Sequence, residues 1–260
     1  MAYVVVPGSN DTLEYDNGAS ASLYSDSAAG ANSVIASGIR TYTKPGTSDT
    51  VKTYVRTRIK GEINLFTNSE NFNTDYDLIN CTIISDSTTD PNGTNTADTM
   101  VENAGGGKKE FFQNKNIVSG KQYTMSVFAK TNGRFMQFQA AGSIAGVTNF
   151  ANFNLTTGEL GTVGAGADNA TITDFGNGWY RCSITFTSAT TSNTGVSVLL
   201  IENDTNGRGH AYTGNGTSGI FVWGTMFSDG AILRRYVKTA GSASSTIETG
   251  EISKTYYDEQ

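Results

Sequence analysis

The chain has 260 residues but only three prolines, two cysteines and one histidine, and charged side chains make up 16% of it. Each scarcity closes a class of function. With two cysteines, Cys81 and Cys182, there is neither a disulfide framework nor a multi-cysteine metal centre. With His210 as the single histidine, a multi-histidine zinc site is excluded, and a catalytic triad would have to be built on that one residue. No Gly-x-Ser-x-Gly motif accompanies it, and the expectation is a non-enzymatic protein. A net charge of −6 argues against nucleic-acid binding. No apolar run reaches membrane-spanning length, and Met1-Ala2-Tyr3-Val4-Val5-Val6-Pro7 has no charged leader region, so neither membrane insertion nor a signal peptide is expected.

What the chain does have is thirty glycines, 10% aromatics and abundant Ser, Thr and Asn, the balance of short strands joined by glycine turns. The clearest strand follows the turn Asp174-Phe175-Gly176-Asn177-Gly178-Trp179. From there Tyr180, Cys182, Ile184 and Phe186 alternate with Arg181, Ser183, Thr185 and Thr187, the period of two that a pleated strand imposes. Cys182 falls on the apolar side and reads as a small buried hydrophobe, with a Cys81–Cys182 bridge as the alternative. Further strands are predicted over 123–130, 135–140, 150–155, 195–201 and 220–223. This density without helical periods between them predicts an all-β protein, an antiparallel jelly-roll β-sandwich.

Three segments are expected: a small N-terminal β arm or attachment domain over 1–62, the sandwich over 63–239, and a linker and tail over 240–260. The arm carries predicted strands over 3–6, 39–43 and 51–59. It also concentrates charge, with six of the eighteen Lys and Arg residues between Arg40 and Lys60 against one acid, Asp49. Arg40, Lys52, Tyr54, Arg56, Arg58 and Lys60 are therefore candidates for docking onto an acidic surface, although positive charge also protects a solvated edge strand. Trp179 and Trp223 could stack on a sugar, but both lie in motifs that define the fold, Trp223 ending the apolar run Ile220-Phe221-Val222-Trp223, and both read as core. The polar loop Asp204–Tyr212 offers better-placed groups, and Asn206, Arg208, His210 and Tyr212 are the candidate glycan ligands, weighed against an ordinary solvated connection. The glycine clusters near Gly105 and Gly164 lack the strand, lysine and helix of a phosphate loop.

Six segments carry a resemblance. Asn64-Leu65-Phe66-Thr67-Asn68-Ser69-Glu70-Asn71-Phe72, Asp90-Pro91-Asn92-Gly93-Thr94-Asn95-Thr96-Ala97-Asp98 and Tyr123-Thr124-Met125-Ser126-Val127-Phe128-Ala129-Lys130 occur in that order. They are followed by Phe153-Asn154-Leu155-Thr156-Thr157-Gly158, Gly176-Asn177-Gly178-Trp179-Tyr180-Arg181-Cys182 and Thr213–Gly224. Together they resemble the carbohydrate-binding-module-like jelly rolls of bacteriophage tail-fibre and other virion proteins. The chain departs from that pattern in its closing strand, at Thr225-Met226-Phe227 and Tyr236-Val237-Lys238-Thr239. The resemblance implies a virion structural protein, assembled in the host cytoplasm: a tail fibre, adaptor or capsid decoration. Its partners would be other virion proteins and further copies of itself, a trimer by analogy, with host-surface glycan as a ligand of the jelly roll. It requires no cofactor; related modules often carry a structural Ca2+, for which Asp90, Asn92 and Asp98 are the oxygen-bearing candidates. A dedicated glycan-binding module is the alternative, and a capsule depolymerase is disfavoured because no β-helix repeat is present.

Overall fold

The computed structural model describes the backbone of residues 12–14, 20–25, 33–43, 50–140 and 148–257, and the side chains of 63–140 and 148–243. The chain divides into two compact units, Ile63–Ser244 and a second unit that joins Met1–Glu62 to Ser245–Gln260.

Among the described residues the second unit is a sheet of five strands: β1 (Thr12–Glu14), β2 (Ser20–Ser25), β3 (Ser33–Thr43), β4 (Thr50–Asn64) and β17 (Ser244–Tyr257), in the order β1-β2-β3-β4-β17. The segment over 240–260, expected as a linker and tail, includes the strand β17. Ile247, Ile252, Thr255, Tyr256 and Tyr257 favour a strand, and β17 lies beside β4. Ala240 and Gly241 belong to the sandwich, where Ala240 bridges Asn68 and the Gly241 N–H donates to the Thr67 carbonyl. The predicted strand over 3–6 lies outside the described residues.

Ile63–Ser244 forms two six-stranded antiparallel sheets packed face to face. One runs β12 (Glu159–Val163), β11 (Phe150–Asn154), β10 (Phe135–Ala140), β15 (Ser192–Ile201), β8 (Lys109–Ile117), β5 (Asp77–Ile79). The other runs β13 (Asn169–Asp174), β14 (Tyr180–Thr187), β9 (Gln122–Asn132), β16 (Gly219–Asp229), β7 (Ala97–Glu102), β6 (Cys81–Thr88). Between the edge strands, the orders 11-10-15-8 and 14-9-16-7 are those of two interleaved Greek keys, a jelly roll.

The strand period explains the core. Cys182, Ile184 and Phe186 of β14, Met136 and Phe138 of β10, Val198 and Leu200 of β15 and Ile220 and Val222 of β16 all point between the sheets. The opposite face of the second sheet is covered as well: Arg181, Ser183 and Thr185 are buried rather than solvated. Trp179 and Trp223 pack there with Phe128 and Ala97, and Tyr236 lies against them. The indole N–H of Trp179 donates to the Thr89 carbonyl at 3.2 Å, and that of Trp223 donates to Thr96 Oγ1 at 3.1 Å. Both rings are thus core residues with their polar edges satisfied. Gly219 lets β16 reach β7, since a Cβ there would fall 1.8 Å from the Met100 carbonyl oxygen.

Cys81 and Cys182 are free and buried. Burial pushes the Cys81 thiol up to about 12, and burial alone raises that of Cys182 well above the usual range. Neither thiol is expected to react with Ellman's reagent in the native protein at pH 8, while two equivalents should react in denaturant; a fast native equivalent would show that one of the strands opens.

Candidate functional site

The polar groups gather on the first sheet and at the loop over 202–212. In β10 and β11 the runs Phe135-Met136-Gln137-Phe138-Gln139 and Phe150-Ala151-Asn152-Phe153 alternate apolar and amide residues. Met136, Phe138, Ala151 and Phe153 enter the core, so Gln137, Gln139 and Asn152 stand on the outer face. Glu110 joins them from β8, paired through Leu199 of β15. That amide alternation was the signal available in the sequence, and reading the loop alone missed it.

The loop lies across this face. Gln137 Nε2 donates to the Gly207 carbonyl at 3.0 Å and to Asn152 Oδ1 at 2.7 Å, and its Oε1 accepts from the Gly209 N–H at 2.7 Å. Asn152 Nδ2 donates to the carbonyls of Asp204 and Asn206 at 2.9 and 2.8 Å. Two amides that would otherwise face water instead serve the backbone of the connection between β15 and β16, which is the condition for a loop to be buried on one side.

The four glycan candidates separate in this setting. The Asn206 side chain accepts from the Asn203 N–H at 2.8 Å and shapes the turn. His210, partly exposed, stands 3.7 Å from Glu202 and stacks on Tyr212 at 6.1 Å between centroids. Tyr212 is not an exposed loop residue: it is buried, its hydroxyl donates to Glu102 Oε2 at 2.6 Å, and its ring lies under Lys109 Nζ at 4.7 Å. Arg208 is half buried; one terminal nitrogen donates to the Ala140 carbonyl, while Nε has no hydrogen-bond partner among the described residues. Desolvation lowers the Arg208 pKa, an effect opposed by the charge of Glu110.

Beneath Tyr212 is a buried ionic cluster. Glu102 receives Arg134 through Nε and a terminal nitrogen, both at 2.7 Å, together with the Tyr212 hydroxyl and the Asn215 N–H. Burial acts to raise its carboxyl pKa, but these donors outweigh it and hold the group below the ordinary range. Lys109 has no exposed surface, and its ammonium donates to the carbonyls of Gly105, Gly107 and Tyr212 at 2.8, 3.2 and 3.2 Å. The glycine cluster at 105–107 is thus a carbonyl cradle for a lysine.

The candidate calcium residues are engaged in turn chemistry. Asp90 accepts from the hydroxyls of Thr94 and Thr96 and from the N–H groups of Asn92 and Thr94. Asp98 accepts from the N–H groups of Phe72 and Asp86. Among the described residues, no group of three or more His, Cys, Asp or Glu is placed to hold a metal ion.

For the docking candidates, the register places Lys52, Tyr54, Arg56, Arg58 and Lys60 at alternate positions of β4, while Arg40 of β3 pairs with Thr53 and so belongs to the other face. Their side chains lie outside the described residues. No family model matches the chain, and no curated protein matches its sequence.

Proposed function

We propose that this is a non-catalytic structural protein of a phage virion, a tail fibre, adaptor or capsid decoration, whose jelly roll projects outward and meets host-surface glycan. The observation that supports this reading is the position of the resembling segments in the fold. Asn64, the Asp90 turn, the Gly176–Trp179 turn and the Gly219–Trp223 strand are the points that fasten this jelly roll, so the likeness falls on fold-determining residues. The unit built from both chain ends carries the basic β4 and is the attachment element, engaging an acidic surface of another virion protein. Assembly into a homo-oligomer, a trimer by analogy, accompanies that attachment.

The test is to label purified particles with an antibody against residues 63–244 and view them by electron microscopy. Label on the tail supports host adhesion, and label over the head supports capsid decoration. Particles without label overturn the reading. The fragment Ile63–Ser244, which closes its own ends through Asn64 and Asn68, is expected to fold alone and to be absent from particles.

A further inference from the structure

Five Asn-Gly pairs lie among the described residues: Asn92-Gly93, Asn132-Gly133, Asn177-Gly178, Asn206-Gly207 and Asn215-Gly216. In such a pair the glycine nitrogen can attack the asparagine side-chain carbonyl, because no Cβ on the glycine crowds the approach. The fold opposes that attack at four of them. The Gly93 N–H donates to the Asp90 carbonyl at 3.0 Å and the Gly133 N–H to Thr131 Oγ1 at 3.3 Å, so both of these nitrogens are engaged. At two others the side chain is held: Asn206 Oδ1 accepts from the Asn203 N–H at 2.8 Å, and Asn215 Oδ1 accepts from the N–H groups of Thr217 and Ser218 at 2.9 and 2.8 Å. Asn177 is exposed, and neither its amide nor the Gly178 N–H forms a hydrogen bond among the described residues.

The backbone singles out the same pair. Asn177 and Gly178 are the central residues of the turn that the Trp179 N–H closes on the Gly176 carbonyl at 2.9 Å. Their φ values of 54° and 77° are both positive, which makes the turn type I′. Closing a five-membered ring from the glycine nitrogen to the side-chain carbon brings that nitrogen into line with Cβ. In an L residue this sets ψ to about −120°, which together with a φ of about +60° is the first central position of a type II′ turn. Types I′ and II′ share φ at that position and differ by a flip of the central peptide, which glycine at the next position accepts with either sign of φ. Among the described Asn-Gly pairs, Asn177 is the asparagine that already has positive φ. Its carbonyl, part of the peptide that must flip, accepts from Lys130 Nζ at 2.8 Å.

We propose that Asn177 is the site at which the folded sandwich deamidates spontaneously, with Lys130 as a positioning residue that restrains the reaction. The Gly178 nitrogen bonds to Cγ of Asn177 as the amide C–N bond breaks, and the side-chain nitrogen leaves as ammonia, taking the proton from Gly178. Water then adds to one of the two imide carbonyls. Opening at Cγ gives aspartate, and opening at the main-chain carbonyl gives isoaspartate, with the chain routed through the side-chain carbon. Either product adds a negative charge to an exposed turn that already carries Asp174. The isoaspartate also lengthens by one carbon a turn that leads directly into Trp179, whose ring is core.

The experiment incubates the full-length protein at mildly alkaline pH, native and in denaturant, and follows the conversion of each Asn-Gly pair by mass spectrometry of its peptides. In the native protein Asn177 should convert about tenfold faster than any of the other four, because breaking the hydrogen bonds that hold those pairs adds to their barriers. In denaturant the five pairs should react at similar rates, since the fold no longer separates them. Lys130→Met frees the Asn177 carbonyl and should raise the native rate there about threefold. It should leave the rate in denaturant unchanged and keep the wild-type melting temperature. Three results would overturn the proposal: a native rate at Asn177 that any of the other four pairs matches, a lead of Asn177 that persists unchanged in denaturant, or a Lys130→Met rate equal to or below that of wild type.

Discussion

Asn64→Ala is expected to lower the melting temperature of the sandwich by about 10 °C. Asn64 is fully buried at the point where the chain enters the sandwich. Its Nδ2 donates to the carbonyls of Thr225 and Val237, both at 2.8 Å, and its Oδ1 accepts from the N–H groups of Phe66 and Phe227, both at 3.1 Å. One side chain thus ties the opening segment to β16 and to the segment leading out. Alanine leaves four backbone groups buried and unpaired. Each orphan costs about 1–3 kcal/mol before relaxation, so a net loss of about 4 kcal/mol is expected, at about 2–4 °C for each kcal/mol in a domain of this size. Asn64→Asp keeps the shape but turns a carboxylate oxygen toward two carbonyls. It should cost at least as much at pH 7 and recover part of the loss as the pH falls and the carboxyl takes up a proton. Thermal unfolding followed by circular dichroism measures both variants. A shift within 2 °C for Asn64→Ala would mean that the freed groups reach water and that the clamp contributes little.

The second large effect is expected at Glu102. Its side chain is wholly buried and that of Arg134 is 17% exposed, so removing the acid strands a guanidinium in the interior. Glu102→Ala should cost about 3–5 kcal/mol, the range for breaking a buried pair from one side. Glu102 and Arg134 removed together should cost clearly less than the sum of the two single changes. The pH dependence has a definite sign. Because the folded carboxyl is held below its ordinary value of 4.5, the unfolded chain takes up the proton first as pH falls. The stabilisation is complete above about pH 4.5 and is lost below it, as pH drops through the folded value. Denaturant unfolding of Glu102→Gln should show a flatter decline below that pH than wild type. An identical slope would remove Glu102 from the acid sensitivity. Some slope will remain because Asp90 is also held low, its hydroxyl and peptide donors outweighing burial.

How legible each element was depended on whether its inward positions were apolar. β10 was readable to the residue, because Met136 and Phe138 alternate with amides. β8 went unread: its inward positions include Lys109 and Gln113, and alternation disappears when a lysine replaces a hydrophobe. That lysine is tolerated inside because the neighbouring Gly105 and Gly107 carbonyls and the distant Tyr212 carbonyl converge on it, and no local pattern encodes the last of these. Tyr212 was misplaced for a related reason. A tyrosine among glycines, Asn and Thr reads as loop, and its inward turn is set by Glu102, 110 positions away. Gln139 could have been singled out from the alternation of apolar and amide residues in β10, but its hydrogen bond to Glu110 of β8 shows only in three dimensions. The strand at 244–257 was hidden by the Gly-Ser run before it, although its own Ile, Thr and Tyr content argued for β structure.

The place of β17 also governs when the molecule can be finished. β4 leaves the ribosome before the sandwich and β17 after it, with roughly 180 residues between them. At about 5–20 residues per second, the first four strands wait some 10–40 s for the fifth, and that last pairing closes across the largest sequence separation in the sheet. A chain that stops early never completes the five-stranded sheet. Any step that needs the completed sheet therefore acts only on chains translated through β17, and that strand serves as a receipt for a complete sandwich.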